Sequence, residues 1–150
     1  MHLRDYCTSD FETLHAIDGA CYPPGIAYSR RTLRWFLKLP GARCVVAQLS
    51  PAKESPIAGF IIGHNDGAHG HIITLDVSEA YRRTGIGSAL LKEMEERLRQ
   101  DGVREVELET ATSNQAGVAF WQRHGYRTAG VLRGYYLGRL DAYEMHKELL

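Results

Sequence analysis

The spacing of apolar residues changes along the chain, and the changes divide it into elements. HLRDY alternates over a short stretch and predicts a strand. In SDFETLHAIDGACY, Phe11, Leu14 and Ile17 fall at helical spacing, with Ser9 as a cap and Glu12 three residues later. YPPGIAY breaks that helix with two prolines and a glycine, and SRRTLRWFLKL resumes helical spacing until Pro40 and Gly41 stop it. ARCVVAQL and PIAGFIIGH are β-branched apolar runs on either side of the polar turn SPAKES, which reads as a hairpin. After the turn NDGAHG, HIITLDVS predicts a third strand of this group.

Residues 85–101 carry the strongest helical pattern. Ile86, Leu90, Met94 and Leu98 form one stripe, Glu93 with Arg97 and Glu95 with Arg99 are i,i+4 pairs on other faces, and Gly102 ends the run. VREVELET then predicts a strand, NQAGVAFWQRHG a helix between Asn114 and Gly125, and YRTAGVL another strand. DAYEMHKEL fits either a last strand or a short helix. Elements in this order predict a mixed α/β (α+β) sheet domain.

A chain of 150 residues, 44% of them hydrophobic, can bury a core without staples, so one domain over residues 1–150 is expected. Eighteen basic residues balance eighteen acidic ones, which argues against a nucleic-acid partner bound through a uniform positive field. Arg30, Arg31 and Arg34 lie on a predicted helix and read as its solvated face. Cys7, Cys21 and Cys44 are an odd set without a Cys-x-x-Cys spacing, and the start lacks the apolar stretch of a signal peptide, so a reducing cytoplasmic location is expected, with the thiols as small core residues. No apolar run approaches the roughly 18 residues of a membrane span, so a soluble protein without a membrane partner is expected. Whether it is a monomer or a homodimer stays open.

The candidate chemistry begins at YRRTGIGSALL. A glycine pair at the mouth of a helix brings an anion, often a phosphate, against unpaired N–H groups. The mononucleotide P-loop needs a Gly-Lys-Ser or Gly-Lys-Thr end that is absent, and the dinucleotide fingerprint needs a third glycine where Leu90 stands. His64, His69 and His71 lack a nearby cysteine or a clear carboxylate set, so no metal site is expected.

What remains, Arg82-x-x-Gly85-x-Gly87 directly after a strand, resembles the acyl-CoA pyrophosphate turn of the GCN5-related N-acetyltransferases (GNAT). TSNQAGVAFWQRHGY resembles the second signature of that family, and GYYLGRLDAYEMHKEL resembles its subset that acetylates protein N-termini, including the ribosomal-protein enzymes. The resemblance implies a mostly antiparallel central sheet of six or seven strands with about four helices, in which ITLDV splays from VELE and acyl-CoA fills the gap. It implies acetyl-CoA as cofactor, held by backbone groups at Leu75, Asp76 and Val77, by the turn Arg82, Arg83, Thr84, Gly85, Ile86, Gly87 and Ser88, and by Asn114 and Trp121 on the later helix.

By the same resemblance Glu109 takes the position of a base acting through water, and His71 is the second candidate. Trp121 stands where many relatives have a proton-donating Tyr. The thiolate then leaves unassisted, or Tyr136 or Tyr126 takes over, or the protein is a poor catalyst. Tyr135 and Tyr136 match tyrosines that grip a peptide substrate, facing a loop with Tyr22, Pro23, Pro24 and Tyr28, whose aromatic walls and hydroxyl tips suit a peptide backbone. The implied activity is acetyl transfer to the N-terminal α-amine of a protein or peptide by direct attack, without an acyl-enzyme. A small amine or lysine acceptor, or an acyl-CoA-binding module without catalysis, are the alternatives.

Overall fold

The computed structural model describes residues 1–149; position 150, the last of the expected domain, lies outside them. The strands are β1 (His2–Asp5), β2 (Ala42–Gln48), β3 (Ile57–Asn65), β4 (His69–Val77), β5 (Glu105–Ala111), β6 (Arg127–Tyr136) and β7 (Leu140–Glu148). The α-helices are α1 (Phe11–Cys21), α2 (Arg30–Leu37), α3 (Ile86–Gln100) and α4 (Gln115–Arg123). The strands form one sheet in the order β1-β2-β3-β4-β5-β7-β6. All pairings are antiparallel except β4 with β5. The ambiguous DAYEMHKEL segment is a strand, because β5 on one side and β6 on the other complete its backbone hydrogen bonds.

Both faces of the β2–β3 half are covered, which explains their continuous apolar runs. Val45, Ala47 and Ile61 face α3, joining the Leu90, Met94 and Leu98 stripe, whereas Val46, Phe60 and Ile62 face Leu14, Ile17 and Leu33 of α1 and α2. In the β5–β7 half only one face is covered. Val106, Leu108 and Met145 are buried there with Trp121 and Tyr126, while Glu105, Glu107 and Glu109 alternate onto the other face.

Several local expectations need correction. α1 starts after a single 3-10 turn, and the side chain that meets a free N–H there is Asp10, accepting from Cys7 N at 2.8 Å, instead of Ser9. Arg4 forks onto the same carboxylate at 2.8 and 2.9 Å, tying β1 to this turn. Arg30, Arg31 and Arg34 are exposed on α2 as expected, and Arg30 and Arg34 in addition lie over the ring of Phe11 while Arg30 pairs with Glu12, so two of them also tie α2 to α1. Cys7 is exposed, while Cys21 and Cys44 pack beside the α1–α2 core; all three are free thiols. Among the described residues no helix is long and apolar enough to cross a membrane.

Glu93 pairs with Arg97 at 3.1 Å as its spacing suggests. Glu95 instead turns inward. It accepts from Tyr126 Oη at 2.7 Å and from Lys147 Nζ at 3.0 Å, which pins α3 to the end of β7. Lys147→Met should therefore destabilise the fold by about 3 kcal/mol, since it strands a buried carboxylate that has lost its cation; chemical denaturation measures this, and Lys147→Arg should recover most of the loss.

Candidate active site

β4 and β5 pair over only three residues, His69–His71 against Glu105–Glu107, and then part. The parting has a local cause. Ile62 pairs with Thr74 and Gly63 with Ile72, so Ile73 is an extra residue that bends β4 just beyond the last β5 pair. The strands run on to Val77 and Ala111 as the two arms of a V that encloses a cleft of about 510 Å3.

A splayed edge leaves backbone groups to satisfy. The carbonyl of Ile73 accepts from Tyr28 Oη at 3.4 Å, that of Leu75 from Tyr22 Oη at 3.0 Å, and that of Val77 from Arg82 Nε at 2.9 Å. In a strand the N–H and C=O of one residue point to the same side, so the N–H groups of Leu75 and Val77 also face the cleft. Asp76, between them, turns the opposite way: it pairs with Phe60 of β3 and is 1% exposed, and it does not line the cleft as the sequence reading expected. Tyr22 and Tyr28 line the cleft with their rings, but their hydroxyls brace β4 and are not free tips for a peptide. Pro23 lies beside them on the cleft wall.

At the far end of β4, Gly85 caps α3 with φ +86°, a conformation glycine adopts freely. The first intrahelical bond there runs from Ala89 N to Gly85 O, so the N–H groups of Ile86, Gly87 and Ser88 precede it and point out of the helix end. A side-chain carbon built on Gly85 would meet nothing within 4 Å, and one on Gly87 would reach the Phe120 ring at 3.5 Å. Backbone donors, open space and the positive end of the α3 dipole fit a diphosphate. Arg83 adopts φ 62° in the same turn, and Thr84 Oγ1 closes it by donating to Tyr81 O at 2.6 Å. Arg82, tied to Val77, stands at the junction of the turn and the V.

His71 and Glu109 meet where the V opens, with Nε2 and Oε1 2.7 Å apart. Tyr135 Oη donates to the same Glu109 oxygen at 3.2 Å. Burial alone would lower the His71 pKa, but the hydrogen bond and charge of Glu109, helped by Glu107, outweigh it and raise the value above the usual 6.5. Glu109 and Tyr136 line the cleft, whereas His71 lies behind Glu109. Burial, then the charge of Glu109, pushes Tyr136 up to about 12 and keeps it a neutral phenol.

α4 supplies the remaining wall. Asn114 caps it, accepting from Gly117 N at 3.0 Å. Trp121 is both core and cleft wall, 8% exposed, with its ring 5.4 Å from that of Tyr126. Tyr126 donates to Glu95 and does not line the cleft, which sets aside one of the two tyrosines offered in place of the missing one. Phe120 was not singled out by sequence, although Gly117, Phe120, Trp121 and His124 share i, i+3, i+4 and i+7 spacing. Ser88 Oγ lies 3.0 Å from His124 Nε2, linking α3 to the end of α4. Among the described residues, the metal-capable side chains that converge within 4.8 Å are Glu107, Glu144 and His146, not the histidines near the β3–β4 turn.

A seven-stranded sheet split between β4 and β5, with an anion-binding helix end after β4, defines an acyl-CoA-type cleft. Residues 11–126 match the acetyltransferase (GNAT) family, and the chain belongs to it. It is 38% identical over 149 residues to an uncharacterized N-acetyltransferase of Methanocaldococcus jannaschii, covering 99% of this chain and 92% of that one. It is 35% identical over 81 residues to the N-alpha-acetyltransferase of Saccharolobus solfataricus, a match that covers 53% of this chain and spans 48% of the relative's length. Ard1 from Thermoplasma volcanium has the same fold, with a TM-score of 0.87 at 23% identity, over 99% of this chain and 97% of that one.

Two outcomes test the site. Gly87→Glu should leave the fold intact, Gly85→Glu should cost it about 1 kcal/mol through the strained φ, and both should abolish calorimetric binding of acetyl-CoA, because each places a carboxylate against the helix end. The raised His71 pKa means that its ion pair contributes stability fully below the unfolded value near 6.5 and loses it as pH rises through the folded value. His71→Gln should therefore lower the denaturation midpoint at about pH 5.5 and change it little at about pH 9.

Proposed function

We propose that this protein transfers the acetyl group of acetyl-CoA to the N-terminal α-amine of a protein or peptide. The observation that carries the reading is the way the acceptor side of the cleft is closed. The loop between α1 and α2 lines the cleft through Tyr22, Pro23, Ile26 and Tyr28, the end of β6 lines it through Tyr136, and the turn after β6 touches that loop: a side-chain carbon on Gly25 would lie 2.2 Å from Leu137 Cδ1. A chain end can enter beneath that contact, whereas a lysine in mid-chain would need room for backbone on both sides. The relatives named N-alpha-acetyltransferase support the same reading.

Bound acetyl-CoA supplies a thioester with an electrophilic carbonyl. In the proposed site, the Leu75 and Val77 N–H groups orient the donor and polarise that carbonyl, and Ile86, Gly87 and Ser88 hold its diphosphate. Glu109 accepts the amine proton through a water, and His71, 2.7 Å away, holds the Glu109 carboxylate in place. Tyr136 orients the acceptor as a hydrogen-bond donor, and Tyr135 fixes Glu109 from the other side. A phenol near 12 is a weaker acid than a thiol, so Tyr136 is not the proton source for the leaving group.

Thiol release from acetyl-CoA tests the activity. Peptides with a free N-terminus should turn over, and the same peptides with a blocked N-terminus and an internal lysine should not. Turnover of polyamines or lysine alone would favour the small-amine reading. Acetyl-CoA binding without turnover of any acceptor would leave a binding module. Glu109→Gln should bind acetyl-CoA normally and lower the rate by roughly two to four orders of magnitude, with the defect shrinking as pH rises toward the amine's own pKa.

A further inference from the structure

Behind the cleft lie two carboxyl groups that the chemistry above does not use. Asp18, near the end of α1, is 0% exposed, and Asp76, on β4, is 1% exposed. Asp18 Oδ2 accepts from the backbone N–H of Tyr28 at 2.7 Å, and Asp76 Oδ1 accepts from Thr74 Oγ1 at 2.5 Å. The other oxygen of each, Asp18 Oδ1 and Asp76 Oδ2, is buried and meets no donor among the described residues. The two carboxyls lie together: one turn beyond Asp18, Cys21 Sγ donates to the carbonyl of Val77 at 3.5 Å and Tyr22 Oη to that of Leu75 at 3.0 Å, on either side of Asp76. Carboxylates can only accept, so two of them in contact leave both oxygens unsatisfied and two like charges in the interior. One proton between them removes both faults.

The surroundings do not outweigh this: the hydroxyls of Thr74 and Tyr22 favour the Asp76 carboxylate, but less than burial and Asp18 disfavour it. Tyr22 and Cys21 at the end of α1, Tyr28 in the following loop and Cys44 on β2 are the titratable groups around the pair, and burial raises the pKa of each. Arg82 directs its guanidinium to the Val77 carbonyl and the Cys21 thiol.

We propose that Asp18 and Asp76 share a single proton and that this acid pair is a clasp positioning the acceptor loop against the donor strand. Asp18 holds the loop through Tyr28 N, and Asp76 sits between Leu75 and Val77, whose N–H groups face the donor. The proton thus joins the two walls of the reaction site from behind. Both are positioning residues, since neither lines the cleft. Loss of the proton sets two buried carboxylates against each other and drives α1 and its loop from β4, straining the Tyr22–Leu75 and Tyr28–Ile73 bonds.

The sign follows from the direction of the Asp76 shift. Its folded pKa is raised, first by burial and then by Asp18, well above the unfolded value, so the stabilisation is full below the unfolded value and is lost as pH rises through the folded one. The clasp therefore opens on the alkaline side.

The kinetic part of this inference rests on the acetyl-transfer reading, so the test includes measurements that need no turnover. Infrared spectroscopy of the wild-type protein at neutral pH should show the band of a protonated buried carboxyl. Asp76→Asn should remove that band, because its amide donates to Asp18 without a titrating proton. Denaturation should show the variant losing less stability than wild type as pH rises. With a peptide acceptor, the wild-type KM should rise about tenfold on the alkaline side, which corresponds to one pKa unit of coupling, while that of Asp76→Asn stays flat. Asp18→Asn, the mirror variant, serves if Asp76→Asn does not fold. Absence of the infrared band in the wild type, or identical pH dependence of stability in wild type and the folded variant, overturns the proposal whether or not any acceptor is acetylated.

Discussion

The parting of β4 from β5 is the constraint on which the rest of this structure depends. An open edge inside a sheet exposes peptide groups that must find partners, at a cost comparable to a lost hydrogen bond for each group left bare. Here the carbonyls are met by Tyr28 and Tyr22 from the α1–α2 loop and by Arg82 from the glycine turn, two separate places in the sequence. The same three contacts fix the α1–α2 loop and the glycine turn relative to β4. Satisfying the edge and building the walls of the site are one event. The N–H groups of the edge stay turned toward the cleft, and a bound pantetheine arm can complete them as an added strand would.

The covering of the sheet decides which side each partner can approach. α3 and α4 seal one face of the β4–β5–β7 half and bring the helix end and the Trp121 wall to the donor. The other face carries Glu105, Glu107 and Glu109, with Glu144 and His146 opposite them on β7. It stays open because α1 and α2 cover only the β1–β4 half. Glu109 alone in this acidic row reaches the cleft, since it lies just beyond the last β4–β5 pair, where the strands have begun to separate. The neighbouring carboxylates differ from it in position more than in chemistry.

This difference shows what a sequence can and cannot reveal. The helical stripes of α3, the strand alternation of β5 and the glycine turn were readable because each is a local periodicity with a physical cause. The choice of Glu109 over Glu105 and Glu107 came from resemblance, as all three look alike in the pattern. Asp76 was misplaced because neighbouring strand residues face opposite ways and the sequence does not mark which way the open edge looks. Glu95 read as a surface ion-pair partner because its true partners, Tyr126 and Lys147, come from distant elements. The tyrosine hydroxyls were assigned to a substrate for a similar reason: an unpaired carbonyl leaves no trace in the sequence.

The replacement of the expected Tyr by Trp121 carries a last consequence for the proposed chemistry. A proton donor helps a leaving group only if it is an acid of comparable strength, and a thiol near pKa 8.5 is already stronger than any phenol in this cleft. Tyr136 is pushed up to about 12 by burial and by Glu109, so protonating a departing thiolate from it would run uphill. In the proposed mechanism Trp121 would serve by size: it lines the cleft, packs on Phe120 and Tyr126, and would keep bulk water from the thioester without taking part in proton transfer. In the proposed mechanism the site would lose little acid catalysis through the substitution, and its proton transfer would be concentrated at the amine, beside the His71–Glu109 pair.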